Sequence, residues 1–366
     1  MKVGTGLTRG RQPLPGLAVQ AVRQAMDQAG LDIANSVLLF LSENFAQNPQ
    51  PALRAAAKAA STTQVSGCSA PGIFTQDEWV LDGSAAAALV LGDDAAISLA
   101  RGRKDEILLT LAAPNAFNSS WMMSPGICFG GVAGDATGQG RFSVWNNGKA
   151  SSAGHCQLIL EGAAGVVDVA HAVKPMSVPQ RIEQASRHDL LVLSSQSGPR
   201  QSAWSSLTSA LGGQDIDDHA GMPCRRVMLM LAEHEAELLR RECQLIPIVG
   251  ADAVAQSVTL TKKAVPGNWC AWGVLDRDAA QQHLDAKIVS MGARLRDEPA
   301  FGLMFSCLAR GPHFYDGVDQ DIALLKRYYP SMPVIGFYGN GEIAPLNGRN
   351  VLWQNSVVLG LFTAES

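Results

Sequence analysis

The pattern of apolar and polar positions predicts regular structure at both ends of the chain. Residues 17–29 place Leu17, Val22 and Met26 on one helical face, and Gly30 follows at the position of a C-cap. Short apolar runs between turns predict buried strands. These strands are expected at 36–42, 64–69, 86–91, 302–308, 333–337 and 351–362, and further helices at 51–60, 283–296 and 319–329. The order predicts a mixed α/β fold of β-sheets with flanking helices.

One sequence pattern recurs three times. Val-Ser-Gly-Cys-Ser-Ala-Pro-Gly-Ile at 65–73 corresponds to Val-Ile-Gly-Phe-Tyr-Gly-Asn-Gly-Glu-Ile at 334–343. Ile-Cys-Phe-Gly-Gly-Val-Ala-Gly-Asp at 127–135 is the third copy, and the dipeptide Asn147-Gly148 after it is typical of a hairpin turn. We therefore expect internally duplicated strand–helix–strand–hairpin units.

The length also indicates how the chain is divided. At roughly 150 residues per domain, 366 residues favour two domains. We place the boundary near residue 165, which gives two related halves, 1–165 and 166–366. A stretch rich in Pro and Ser, about 163–225, predicts a connector between them.

Composition and charge exclude several classes of protein. Hydrophobic residues make up 47% and charged residues 17%, which describes a compact globular chain and excludes a disordered one. The net charge of −4 gives no basic footprint for nucleic acid. No apolar run reaches the length of a membrane span, and no apolar segment follows Met1 as a secretory signal would. Seven scattered cysteines without a Cys-x-x-Cys pair predict a reduced, cytoplasmic protein.

Two glycine-rich turns are candidates for ligand binding. The first contains Gly67, Cys68 and Ser69, and the second runs from Gly339 through Gly341. Glycines after a strand let the backbone present N–H groups to a ligand or approach it closely. The alternative is a tight turn that only needs a positive φ.

A second candidate group lies near the carboxyl end of the strand predicted at 302–308. It contains Cys307, Arg310, Gly311 and His313. A guanidinium can stabilise a thiolate or clamp a carboxylate, and Glu342 could pair with the arginine or hold the amino group of a ligand. The alternatives are a buried cysteine beside an arginine tied to a carboxylate, and a nucleophilic cysteine.

With these motifs in view, the chain resembles the FIST family, whose members carry FIST N and FIST C domains in tandem. The resemblance rests on the segments at 65–74, 130–135, 145–148, 275–279, 305–311 and 336–345. It implies a FIST N-type domain at 1–165, a FIST C-type domain at 166–366, and a stand-alone bacterial sensory module rather than an enzyme. Residues 210–265 depart from the family pattern as read from the sequence.

Four functions remain open. The first is a cytoplasmic sensory protein that binds a small polar, amino-acid-like ligand between its FIST domains and signals to a separate kinase or cyclase. The second, implied by similar family members, is a haem-binding nitric oxide sensor acting on a separate histidine kinase, with His313, His155 or Cys307 as axial ligand. The third is a cysteine-dependent enzyme using Cys307. The fourth is a scaffold that binds only protein. We favour the first, with no cofactor, nucleic acid or membrane partner.

Overall fold

The computed structural model describes residues 1–365 except 117–121, 124, 136–139, 197 and 213–225. The chain forms two compact units. The first unit combines Met1–His171 with Gln281–Ser366, and the second is Ala172–Ala280. The described residues contain both helices and strands in several sheets, which confirms the mixed α/β fold.

The secondary-structure elements are numbered here in chain order. The helices are α1 (Pro15–Ala29), α2 (Gln50–Ala60), α3 (Ala203–Leu211), α4 (Glu235–Leu239), α5 (Arg277–Arg294) and α6 (Gln320–Tyr328). Residues 1–171, the first part of the first unit, contain β1 (Lys2–Gly10), β2 (Ser36–Ser42), β3 (Val65–Ala70), β4 (Gly72–Thr75), β5 (Trp79–Val80), β6 (Ser84–Gly92), β7 (Ala96–Leu99), β8 (Ile107–Ala112), β9 (Ile127–Val132), β10 (Val144–Asn146), β11 (Lys149–Ala150), β12 (His155–Glu161) and β13 (Ala163–His171). The second unit contains β14 (Val173–Pro175), β15 (Gln180–Ser186), β16 (Asp189–Ser194), β17 (Gln201–Ser202), β18 (Val227–Ala232), β19 (Gln244–Asp252), β20 (Ser257–Leu260) and β21 (Trp269–Leu275). The first unit then resumes with β22 (Phe301–Cys307), β23 (Val334–Gly339), β24 (Glu342–Leu346), β25 (Arg349–Trp353) and β26 (Ser356–Ala364).

The first unit contains three copies of one sheet pattern. The strand orders β1-β6-β2-β3, β7-β12-β8-β9 and β13-β26-β22-β23 form the cores of its first, second and third sheets. In each sheet the last two of these strands are parallel and the others antiparallel. Each sheet is completed by a hairpin from another copy: β10-β11, β24-β25 and β4-β5, respectively. This confirms the predicted repeat and shows that the copies exchange hairpins.

Glycine is required where the parallel strands of each copy approach each other. A Cβ atom on Gly67 would lie 1.8 Å from a carbonyl oxygen of the neighbouring strand. The corresponding distances are 2.0 Å for Gly130 and 1.8 Å for Gly336. Gly67 and Gly130 also have φ angles of 151° and 147°, which side-chain-bearing residues rarely adopt. The threefold glycine pattern in the sequence therefore reflects close strand packing.

The inner faces of the three sheets meet in one aromatic core. Phe40, Phe129 and Phe305, one from each sheet, are fully buried. The ring centroid of Phe305 lies 6.3 Å from that of Phe40 and 6.2 Å from that of Phe129. The outer face of the first sheet packs on α1 and α2, and that of the third sheet on α5 and α6. The site described below lies where the first sheet ends.

The second unit is a closed antiparallel barrel. The ring runs β21-β15-β16-β20-β19-β18 and returns to β21. Its apolar interior contains Trp272, whose indole nitrogen donates to Ser206 Oγ at 2.8 Å. Ser206 in turn donates to Gln180 Oε1 at 2.6 Å, so the buried polar groups are hydrogen-bonded.

The segment 163–225 is not a structureless connector. Its described part contains β13 to β17 and α3, while residues 213–225 lie outside the described residues. Pro and Ser predicted a linker, but Pro175 lies in β14, Ser194 lies in β16, and Ser202 caps α3 by accepting from Ser205 N. Helix α5 begins at Arg277 rather than 283, and Asp276 caps it by accepting from Ala279 N at 2.8 Å. The division near residue 165 stays a prediction.

Candidate functional site

A long loop breaks the regularity of the three repeats. In the first copy only Pro71 separates β3 from the hairpin β4-β5. In the last copy only Asn340 and Gly341 separate β23 from the hairpin β24-β25. In the middle copy the same connection is 133–143, of which 136–139 lie outside the described residues. The middle copy therefore has a longer connection at this point than the other two. Binding residues occur disproportionately on loops that a rigid scaffold positions.

The carboxyl end of this loop is fixed to the first sheet by three hydrogen bonds. Ser143 N donates to Ser69 Oγ, and Ser69 N donates to the carbonyl of Ser143, both at 2.9 Å. Ser143 Oγ donates to the carbonyl of Ala46 at 2.8 Å. These bonds hold the loop against the short 3-10 turn, Glu43–Phe45, that follows β2.

Between the loop and this turn lies a cleft of about 590 Å³, called the polar cleft below. It opens beside the carboxyl ends of the parallel strands β2 and β3, where ligands generally bind in open α/β sheets. Acids, amides, an arginine and one aromatic ring form its wall: Glu43, Asn44, Ala46, Gln47, Asp135, Gly140, Arg141 and Phe142.

The charges of the polar cleft suit a ligand that carries both signs. Glu43 and Arg141 are exposed, and neither forms an ion pair with another described residue. A guanidinium offers a planar fork of N–H donors that matches a carboxylate, whereas a glutamate accepts from an ammonium group. The amides of Asn44 and Gln47 supply further donors and acceptors on the same wall.

The first glycine-rich turn proves to be strand rather than loop. Gly67, Cys68 and Ser69 all lie within β3 and are buried. Burial, and then the neighbouring Cys156, raises the pKa of the Cys68 thiol well above its ordinary value, so it is neutral. Of these three residues Ser69 is linked to the polar cleft, because it hydrogen-bonds to Ser143, the residue that follows Phe142 of the cleft.

The second glycine-rich turn is engaged in strand pairing. Asn340 N donates to the carbonyl of Val132 at 2.9 Å, and Val132 N donates to the carbonyl of Gly341 at 2.8 Å. A Cβ on Gly339 would lie 2.4 Å from that same Val132 carbonyl. Close backbone approach between β23 and β9 thus accounts for the glycines, and ligand binding by them stays a prediction.

Arg310 lies in a buried salt bridge. Its Nε and Nη2 atoms donate to the two carboxylate oxygens of Asp321 at 2.7 and 3.1 Å, and Nη1 donates to the carbonyl of Ala170 at 2.9 Å. Tyr315 also donates to Asp321, at 2.7 Å. Burial alone would lower the pKa of Arg310, but Asp321 reverses this and raises it. The arginine therefore meets a carboxylate of its own chain, as the alternative interpretation of the sequence held.

Gly311 and two acids complete this buried region. A Cβ on Gly311 would lie 3.0 Å from the ring of Tyr338. Tyr338 donates to Asp319 at 2.5 Å, and Asp319 accepts from the first backbone amides of α6. Burial and the nearby Asp321 raise the pKa of Asp319 to about 6. Gly311 thus allows close packing of the tyrosine that holds the helix cap.

Glu342 is buried. The sequence leaves open whether this carboxylate pairs with Arg310 or holds the amino group of a ligand. The register places it at the position occupied by Ile73 and Val144 in the other copies. Its Oε2 accepts from Ser356 Oγ at 2.5 Å, and Oε1 has no hydrogen-bond partner among the described residues. Burial raises the pKa of Glu342 well above the ordinary value, which favours the protonated form of this carboxyl.

The environment of Cys307 does not favour a nucleophilic thiolate. The thiol is buried, and burial followed by the neighbouring Glu342 raises its pKa to about 12. A nucleophilic cysteine needs a thiolate, which this environment disfavours. His313 is exposed in the 3-10 turn Pro312–Tyr315, and His155 is the half-buried first residue of β12. Among the described residues no group of three or more His, Cys, Asp or Glu side chains is arranged to hold a metal ion.

Comparison with known proteins finds two family models that match the chain in tandem. The FIST N domain model matches residues 35–194, and the FIST C domain model matches 212–345. The FIST C match begins at 212, so it includes most of the segment 210–265 that had been read as a departure from the family.

Relatives are similar over different lengths. An uncharacterized protein of Mycobacterium bovis is 24% identical over 95% of both chains. Another from Mycobacterium tuberculosis is 25% identical over 43% of this chain and 46% of its own. F-box only protein 22 of Homo sapiens is 36% identical over 18% of this chain and 15% of its own. Within the described residues, no helix combines the length and apolar character needed to cross a bilayer.

Proposed function

Because the chain belongs to the FIST family, whose domains are in general sensory and signal-transducing, we propose that it senses a small amino-acid-like ligand in the polar cleft. The ligand is a zwitterion with an ammonium and a carboxylate group. The protein acts without catalysis, in the cytoplasm, and passes its signal to a separate kinase or cyclase. The position of the site differs from the sequence-based expectation around Cys307 and Arg310.

One observation carries this proposal. The loop 133–143 replaces a tight turn of the other copies, and it brings Arg141 to a cleft that Glu43 also lines. Opposite charges that find no partner among the described residues are the complement of a zwitterion. The anchoring of Ser143 to Ser69 fixes one end of the loop before the ligand arrives, which lowers the entropy cost of binding.

Each group of the ligand has a matching residue. The carboxylate accepts two N–H bonds from the Arg141 guanidinium, and the ammonium donates to Glu43. Asn44 and Gln47 hydrogen-bond to a polar side chain of the ligand, and the ring of Phe142 covers its aliphatic part. The volume of the cleft lies within the range of typical ligand pockets and has room for a molecule of amino-acid size.

A thermal-shift screen with the natural amino acids tests the proposal. A ligand at a hundred times its Kd stabilises the protein by about 2.7 kcal/mol, which moves the melting temperature measurably. We expect the shift to disappear in Arg141→Ala and in Glu43→Gln, and to persist in Arg11→Ala, an exposed arginine outside the cleft. Equal stabilisation of Arg141→Ala and the wild type would remove the cleft from the proposal.

The decarboxylated and deaminated analogues of the best ligand provide the second half of the test. A zwitterion site binds the amine or the acid alone more weakly than the amino acid, because one charged group of the cleft is then left unpaired. The amine analogue should lose its dependence on Arg141, and the acid analogue its dependence on Glu43. Analogues that bind as well as the parent compound would contradict the zwitterion assignment.

The haem alternative calls for a separate observation. It needs His155, His313 or Cys307 as an axial ligand, and the neutral thiol of Cys307 lacks the thiolate that binds haem iron. Addition of haem to the purified protein, followed by its absorption spectrum, distinguishes the two functions. A Soret band that shifts in His155→Ala or His313→Ala would favour the haem sensor over the amino-acid sensor.

A further inference from the structure

A second concave surface lies at the β11 edge of the first sheet. It is formed where helix α2 runs beside the hairpin β10–β11 and has a volume of about 530 Å³. We call it the hairpin groove, and its residues are Gln50, Leu53, Arg54, Ala57, Thr63, Asn147, Gly148, Lys149 and Ala150. It shares no lining residue with the polar cleft.

The hairpin groove is cationic in a chain with a net charge of −4. Arg54 and Lys149 are exposed on its two sides, and its lining contains no acidic residue. Neither cation forms an ion pair with another described residue. Two uncompensated positive charges that face one groove favour an occupant with carboxylates.

One wall of the groove is an open sheet edge. Strand β11 is the last strand of the first sheet and pairs with β10. Ser151 N donates to the carbonyl of Val144, and bonded pairs alternate with non-bonded pairs in an antiparallel ladder. The N–H and carbonyl of Ala150 therefore point away from β10. An edge with outward-pointing backbone groups can accept a further strand.

The groove is preformed and partly apolar. Gln50 Nε2 donates to the carbonyl of Gly148 at 2.8 Å, which holds the hairpin against α2. Its apolar lining consists of the buried Leu53, the half-buried Ala57 and the exposed Ala150, so small apolar side chains can pack there. In an extended peptide alternate side chains point to opposite faces, which allows apolar and acidic residues to be sorted between the bottom and the rim.

We propose that the hairpin groove binds an extended acidic segment of a partner protein. The segment adds as a strand beside β11, its backbone pairs with Ala150, and its carboxylates lie next to Arg54 and Lys149. This inference stands on the groove alone and does not depend on the ligand of the polar cleft. It gives the separate signalling partner a defined chemistry.

Fluorescence anisotropy with a labelled octapeptide of alternating glutamate and valine tests the charge requirement. The wild type should bind it and should not bind the matching peptide of lysine and valine. The double variant Arg54→Glu/Lys149→Glu should bind about tenfold or more weakly, because two ion pairs become repulsive. The control Arg11→Glu/Lys104→Glu changes the net charge equally at exposed sites outside the groove and should bind as the wild type does.

The backbone requirement is tested on the peptide, so that the fold of the protein is not at risk. A glutamate–valine peptide with alternate N-methylated residues cannot complete the ladder and should lose binding. Free glutamate should compete only at millimolar concentration. Retained binding of the N-methylated peptide, efficient competition by free glutamate, or equal binding by both double variants would overturn the proposal.

Discussion

Replacement of Glu342 by glutamine should make the stability of the protein less sensitive to pH. In the unfolded chain a glutamate loses its proton near pH 4.3. In the folded protein the buried carboxyl keeps its proton, because burial raises its pKa well above that value. Between these two pKa values the folded state holds one proton more than the unfolded state. This group therefore contributes a loss of stability as the pH rises through that window.

The size of the effect follows from the linkage relation. One extra proton in the folded state lowers the free energy of unfolding by about 1.4 kcal/mol for each pH unit. Between pH 5 and pH 7 the loss reaches about 2.7 kcal/mol if the carboxyl stays protonated in the folded state. Glutamine has no proton to lose and can still accept from Ser356 Oγ, as Glu342 Oε2 does at 2.5 Å.

Urea unfolding of the wild type and Glu342→Gln at pH 5, 6 and 7 measures this difference. The advantage of the variant should grow by about 1.4 kcal/mol per pH unit. Asp319, whose pKa is raised to about 6, titrates in both proteins and cancels in the comparison. Glu78→Gln controls for the loss of an exposed carboxylate. Parallel stability curves for the wild type and Glu342→Gln would refute a buried, protonated Glu342.

Three further predictions concern buried positions. Cys307 in the native protein should react with iodoacetamide roughly a thousandfold more slowly than in urea, since its pKa is raised to about 12; equal rates by mass spectrometry would contradict this. Arg310→Met should lower the free energy of unfolding by about 3–5 kcal/mol, and Arg310→Met/Asp321→Leu should recover part of it, because the single variant leaves a buried charge. Gly67→Ala should lower the melting temperature, because a Cβ at this position collides with the backbone of the neighbouring strand. Gly16→Ala should leave it unchanged, because a Cβ there meets no other atom. Similar melting temperatures for the two variants would be inconsistent with the strand packing.

The repeats could be predicted from the sequence because each carries its own local signal. Glycine at 67, 130 and 336 indicates close approach of two neighbouring parallel strands, and Asn147-Gly148 indicates a hairpin turn. The exchange of hairpins between copies could not be predicted. A hairpin that pairs with its own copy or with another has the same local sequence, and only tertiary packing decides between them.

The candidate site was located less well than the fold. Motifs around Arg310 and Glu342 were read as binding chemistry, whereas Arg310 satisfies Asp321 and Glu342 fills a core position. A charged residue next to glycines has the same appearance in sequence whether its partner is a ligand or another residue of the chain. The polar cleft arises from residues with no shared motif, Glu43 and Arg141, which chain folding brings together.

The second unit was missed because its signal is weak. Strands β16 and β19 contain mostly half-buried residues, so apolar and polar positions do not alternate clearly. Proline and serine between them resemble a linker in composition. A closed barrel satisfies its backbone groups by pairing around the ring, and short strands with modest hydrophobicity suffice for that.

A crystal structure of the protein grown with the amino acid that most raises its melting temperature tests the central claim most directly. We expect electron density for the ligand in the polar cleft, with its carboxylate on Arg141 and its ammonium group on Glu43. Density for the ligand beside Cys307 and Glu342, or at any other surface while the polar cleft holds only water, would contradict the account.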